Sequence, residues 1–125
     1  MRIYSEDHLW VDCDQGEATL GISAYAAAEL GEVTYVELPA IGAAMAAGGV
    51  LCVVESLKTA ADLPCPVSGR VMAVNDRLTA EPGLLSGDPE GDGWICRLSG
   101  VAAGEVAGFM SAAAYAAYVA APSAR

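Results

Sequence analysis

Residues 39–51, PAIGAAMAAGGVL, align without gaps with residues 66–78, PVSGRVMAVNDRL, at an offset of 27. Pro39/Pro66, Gly42/Gly69, Met45/Met72, Ala46/Ala73 and Leu51/Leu78 coincide, and Gly48 falls opposite Asn75. Glycine and asparagine are the residues that most readily take positive φ, so both copies are expected to turn at that position. A β unit of this length cannot bury a core alone, whereas two copies can close face to face. The repeat therefore predicts a mainly β chain, folded as a flattened, pseudo-two-fold β-barrel or sandwich. At 125 residues the chain is long enough for one domain with a real core.

The flanking segments fill in the elements. EATLGI (17–22) and VTYVEL (33–38) have the β-branched and aromatic content of strands. Between them SAYAAAELG predicts a short helix, with Ser23 capping its start and Gly31 taking the left-handed position past its end. The uncharged run from Val106 to Ala121 is shorter than the roughly 20 residues that a membrane span needs. Alanine content and helical spacing of Val106, Phe109, Met110 and Ala113 predict a C-terminal helix over about 104–121. Pro122 is expected to end it and to leave a frayed tail over 122–125, outside a core of 4–100.

Lys58 is the only lysine; the other basic residues are Arg2, Arg70, Arg77, Arg97 and Arg125. It lies between the copies of the repeat, 16 residues after Gly42 and 11 before Gly69. GVLCVV (49–54) reads as a buried strand, and TAADL (59–63) as its return before Pro64 and Pro66. ESLK then becomes a hairpin tip with Lys58 in solvent. A Schiff-base or general-base lysine wants a desolvated pocket, which a tip does not give. An exposed amine at a fixed place suits acylation by another enzyme, whose product is a swinging arm.

Composition excludes several other roles. A formal charge of −10 leaves no basic stripe for nucleic acid or an anionic membrane surface. The acidity serves solubility, or steering toward basic protein surfaces. Cys13, Cys52, Cys65 and Cys96 have no CxxC spacing, and MRIYSEDHLW has no signal-peptide core. The cysteines are therefore expected to be reduced, small core residues of a cytoplasmic protein, without a metal. No nucleophile–base pair is apparent around the single His8.

The segments YSEDHLWV (4–11), 18–75 and DPEGDGW (88–94), with VVESLK…D…PVSG at their centre, resemble the glycine cleavage H proteins. These are lipoyl carriers related to lipoyl and biotinyl domains. The resemblance implies a lipoyl-domain-like barrel-sandwich hybrid and a non-catalytic carrier, with lipoic acid in amide linkage to Lys58. It implies work with a pyridoxal-phosphate glycine decarboxylase, a tetrahydrofolate-dependent aminomethyltransferase, dihydrolipoamide dehydrogenase and lipoylating enzymes, as a monomer. Glu55, Asp62, Gly42 and Gly69 are then candidates for recognition by those enzymes, and His8, Leu9 and Asp62 for a cleft that shelters the arm. One departure stands out. Similar proteins usually read His-Glu-Trp where this chain has His8-Leu9-Trp10, and leucine cannot accept a hydrogen bond from an amine. An H-like lipoate-binding protein of another pathway, such as sulfur oxidation or lipoyl relay, is the alternative. An unmodified interaction module is the third reading.

Overall fold

The computed structural model describes residues 2–120. Ten strands form two sheets. The larger has the order β10-β1-β2-β3-β9-β8-β5 and the smaller β4-β6-β7. In chain order, β1 (Arg2–Tyr4), β2 (Leu9–Asp14) and β3 (Glu17–Ile22) form an antiparallel meander. A short helix α1 (Ala24–Leu30) leads to β4 (Val33–Glu37), β5 (Ala44–Met45), β6 (Val50–Ser56), β7 (Ala60–Pro64) and β8 (Gly69–Val74). Two single-turn helices, α2 (Arg77–Ala80) and α3 (Leu84–Gly87), precede β9 (Cys96–Ser99). The chain closes with β10 (Met110–Ser111) and α4 (Ala112–Ala120).

The sheets face each other across one apolar cluster. Leu9, Val11, Leu20, Ile22, Val71 and Leu98 come from the larger sheet, and Val36, Leu51, Val54 and Leu63 from the smaller. Alternation explains most of this, since every second residue of a strand faces inward. Leu51 and Cys52 are both buried although adjacent. The register slips between Val50 and Cys52, and such a bulge lets neighbouring residues share a face. Of the two forms the repeat allows, the sandwich of separate sheets is the one adopted.

The repeat is realised in its first half. Ala44 pairs with Arg70 and Met45 with Gly69. The Gly42 N–H donates to the Val71 carbonyl (2.8 Å) and the Val71 N–H to that of Ala43 (2.9 Å). Met45 corresponds to Met72 and Gly69 to Gly42, so the copies pair antiparallel about a local two-fold. The second halves diverge. Gly48 turns at φ +88°, but Asn75 does not take positive φ. Asn75 is buried instead: its amide donates to the Asp92 and Trp94 carbonyls, and its Oδ1 accepts from the Arg77 N–H. Leu51 belongs to β6 and Leu78 to α2. Asparagine fits both environments, and the sequence pattern does not distinguish them.

The C-terminal run also departs from expectation. It is not one helix from 104. A 3₁₀ turn (Ala103–Val106) and the two residues of β10 come first, and α4 starts at Ala112. Met110 pairs with Tyr4 and Ser111 with Ile3, which commits these residues to extended backbone. Val106 and Phe109 still pack on the core and Met110 on a second aromatic cluster, whereas Ala113 is exposed. No helix among the described residues is long and apolar enough to cross a membrane. The tail expected over 122–125 lies outside those residues.

The aromatic cluster, centred on Tyr4, Trp10 and Tyr115, staples α4 to the meander. The Tyr4 and Tyr115 rings stack at 4.5 Å with planes 7° apart. Trp10 lies across the strand from Gly21 and donates from Nε1 to the Pro89 carbonyl (2.9 Å). A Cβ on Gly21 would come within 2.6 Å of the indole, so the ring lies flat on bare backbone. Overpacking of this kind typically costs about 1–3 kcal/mol. Gly21→Ala is expected to lower the unfolding free energy by about that amount in urea titrations, and Trp10→Phe/Gly21→Ala to recover part of it.

Candidate functional site

The hairpin tip is shorter than the sequence suggests. Glu55 and Ser56 belong to β6, Glu55 pairs with Ala60, and the turn consists of Leu57 and Lys58. The Ser56 N–H donates to the Thr59 carbonyl at 2.8 Å. Two-residue hairpins favour primed turns, which need positive φ, yet neither Leu57 nor Lys58 takes it. Ser56 provides the alternative. Its Oγ accepts from the N–H groups of Lys58 (3.2 Å) and Thr59 (3.1 Å), a side-chain substitute for turn hydrogen bonds. The Leu57 N–H donates to the Glu32 carbonyl (3.0 Å), and Thr34 Oγ1 to that of Glu55 (3.2 Å). The tip is thereby fixed to the α1–β4 connection and to β4. Leu57 is 73% exposed, Lys58 is exposed, and the Lys58 amine has no hydrogen bond or ion pair among the described residues.

The Lys58 side chain lies over Gly31, at the end of α1. A Cβ on Gly31 would approach Lys58 Cε to 2.9 Å. Gly31 has φ +78° and ψ −149°, a region essentially confined to glycine. The start of the same helix is capped as expected, with Ser23 Oγ accepting from the Ala26 N–H (3.1 Å). Glu90 adds a second clamp that the sequence did not reveal, accepting from the Ala24 N–H (2.8 Å) and from the Tyr4 hydroxyl (2.6 Å). Burial and the bond to Glu90 push the Tyr4 hydroxyl up to about 12.

Along α1 runs a groove of about 350 Å³, lined by His8, Tyr25, Ala26, Glu29, Leu30 and Leu63. Lining residues 25, 26, 29 and 30 recur at helical spacing, as one face of α1 requires. His8 borders the groove with φ +70°, an uncommon conformation outside glycine. Tyr115 holds it there: the Tyr115 hydroxyl lies 2.7 Å from His8 Nδ1 and 2.6 Å from Ser23 Oγ. When Tyr115 donates to a neutral His8, Ser23 donates to the Tyr115 oxygen. Protonating His8 would reverse this chain, since Nδ1–H must then donate.

The expected cleft residues separate in space. His8 lines the groove. Leu9 is 0% exposed and belongs to the core. Asp62 is exposed on β7 and, next to inward Leu63, projects from the opposite face of its strand. Glu55 is exposed at the tip end of β6. Gly42 occupies a turn at φ +90°, and Gly69 lets β8 approach its neighbour, with a Cβ position 2.8 Å from the Ser99 carbonyl. Tyr25 and Glu29 were not singled out by sequence; their i, i+4 spacing on α1 was the available signal. Cys52, Cys65 and Cys96 are buried, with burial raising each thiol, Cys52 to about 12.

The model of the family described as "Glycine cleavage H-protein" matches residues 2–121. The chain belongs to the glycine cleavage H-protein family. It is 44% identical over 114 residues to the glycine cleavage system H protein of Chromobacterium violaceum, covering 90% of this chain and 89% of that one. With the protein of the same name from Thermotoga maritima it shares 39% over 115 residues, covering 92% and 93%. The structure resembles the crystal structure of a glycine cleavage system H protein from Mycobacterium marinum, with a TM-score of 0.84, 31% identity and coverage of 96% and 97%. The family is one of lipoyl carriers, and the mainly β fold expected from the sequence is the fold observed.

Two predictions follow from the site's geometry. Gly31→Ala is expected to destabilise the fold by about 1–3 kcal/mol through its backbone alone, as measured in urea, and to displace Lys58 in NMR spectra. Burial lowers the pKa of His8, outweighing the neighbouring Asp7 and Glu29. The folded state thus prefers the neutral ring, while the unfolded chain takes up its proton near 6.5. This contribution to stability is present above about pH 6.5 and is lost as pH falls toward the lower folded value. His8→Gln should flatten that part of the stability–pH curve.

Proposed function

We propose that this chain is the lipoyl-carrying H protein of a glycine cleavage system, with the arm in amide linkage to Lys58. The observation that carries the reading is an exposed sole lysine, unpaired among the described residues, on a two-residue turn fixed by Ser56 and Glu32. Its fit to a lipoyl amide is supported by the accessible amine, whose side chain lies over Gly31 at the end of α1. When attached, the lipoyl group supplies a disulfide–dithiol couple that carries the aminomethyl group of glycine from a pyridoxal-phosphate decarboxylase to a tetrahydrofolate-dependent aminomethyltransferase, before reoxidation by dihydrolipoamide dehydrogenase.

The chain contributes position and recognition, not a catalytic group. Ser56 holds the tip in one conformation, which a lipoylating enzyme can read. Glu55 and Asp62 meet basic surfaces on that enzyme and on the catalytic partners. Gly42 and Gly69 serve recognition indirectly, by holding the paired β units in register beneath the hairpin. The protein acts as a single-domain monomer in the cytoplasm. Attachment makes each encounter with a partner local, raising the effective concentration of the carried group.

Co-expression with an active lipoylating enzyme is expected to add one lipoyl increment to the intact mass, and Lys58→Arg to abolish it. Absence of the increment in the wild-type chain would overturn the carrier reading. Glu55→Gln with Asp62→Asn should slow modification by about tenfold at low salt, with the difference shrinking at high salt. A lipoylated chain that fails to support glycine–bicarbonate exchange with the decarboxylase would point to a lipoyl carrier of another pathway.

A further inference from the structure

The outer face of the smaller sheet is open, and its cross-strand register sorts the exposed residues into two rows. Tyr35 stands opposite Glu55, and Glu55 opposite Ala60. Glu37 stands opposite Val53, and Val53 opposite Asp62. Val53 is half-buried and the other five are exposed, while the intervening Val36, Val54 and Leu63 point into the core. The first row borders the turn that carries Leu57 and Lys58. With about 3.4 Å per residue and about 4.8 Å between strands, the rows and the tip cover a patch of about 15 by 10 Å. That lies well inside the roughly 800 Å² that each partner of a specific complex buries.

Two properties set this face apart. Tyr35 is 49% exposed and Leu57 is 73% exposed, so apolar surface is presented at the tip end of the sheet. A tyrosine on a strand is suited to anchor an interface, since it offers a large contact area and has few rotamers to fix. The carboxylates are also left without partners: the side chains of Glu37, Glu55 and Asp62 make no hydrogen bond or ion pair among the described residues. Across the sandwich, Asp12, Glu17 and Glu90 are instead paired with Arg2 or Arg97 of the larger sheet. No described arginine lies on β4, β6 or β7.

An enzyme that acylates Lys58 must bring its reacting centre to Nζ, and the surface around that centre then meets what flanks the tip. We propose that β4 supplies specificity in this encounter: Tyr35 fills an apolar pocket of the lipoylating enzyme, and Glu37 joins Glu55 and Asp62 against a basic rim. The proposal rests on the carrier reading and deepens it, extending recognition from the hairpin to a neighbouring strand. The two kinds of residue act on different steps. Rim charges speed the approach, and the buried ring sets how long the complex lasts.

The test follows acylation of the unmodified chain by a lipoate ligase that works through lipoyl-adenylate, each variant being checked first by urea unfolding. Tyr35→Thr keeps a β-branched residue in the strand. It is expected to raise KM for the chain about tenfold, through faster dissociation, with kcat little changed. Tyr35→Phe keeps the ring and should behave as the wild type. Glu37→Gln should slow association about twofold at low salt and have no effect at high salt. Asp14→Asn, an equal charge change on β2, should alter neither constant. The second readout is an NMR titration of the chain with the ligase, in which amides of residues 33–37 should shift or broaden together with those of 53–62. Equal KM in wild type and Tyr35→Thr, or changes confined to the hairpin without β4, would overturn the proposal. Failure of the carrier reading appears separately, as a wild-type chain that gains no lipoyl increment from the same ligase.

Discussion

The antiparallel register of β6 with β7 is the constraint on which the rest of the site depends. Side chains alternate along a strand, so a slip of β7 by one residue against β6 would exchange the faces of Asp62 and Leu63. It would also move a different residue to the apex. The register is held from inside by burial of Leu51, Cys52, Val54 and Leu63, and at the end by the Ser56 turn. The bulge at Val50–Cys52 adjusts the strand so that both Leu51 and Cys52 reach the core. A chemically ordinary amine thus becomes a defined point in space through apolar packing some distance away.

The second organising feature is the frame around α1. Seven residues make a helix too short to persist alone. Ser23 and Glu90 hold its start, Ala27 and Leu30 bury its inner face, and Gly31 ends it. Tyr115 reaches from α4 to both Ser23 and His8. The C-terminal helix therefore supports the groove through Tyr115 without lining it.

Much of this was legible in the sequence. The repeat specified paired β units, and Ser23, Gly31 and Lys58 had the local chemistry of a cap, a stop and a tip. Such signals are readable because they depend on neighbours in the chain. Asn75 was misread because a buried amide and a turn former are the same residue type; the Asp92 and Trp94 carbonyls that decide between them lie 17 and 19 residues away. The extended Met110–Ser111 pair was hidden in an alanine-rich run for a similar reason, since pairing with β1 overrides local helical preference. At the site, the leucine after His8 suggested a weakened cleft. Burial shows instead that position 9 belongs to the core, and the groove's carboxylate comes from α1.

The exposed turn at Lys58 also makes the chain its own reporter of covalent state. A lysine-specific protease has one possible cleavage point, and it lies on an accessible loop between two strands. The free amine permits one cut, into pieces of 58 and 67 residues; an acylated amine permits none. Proteolytic fragmentation thus counts unmodified molecules directly, and acylation converts the single lysyl bond of the sequence into a resistant one.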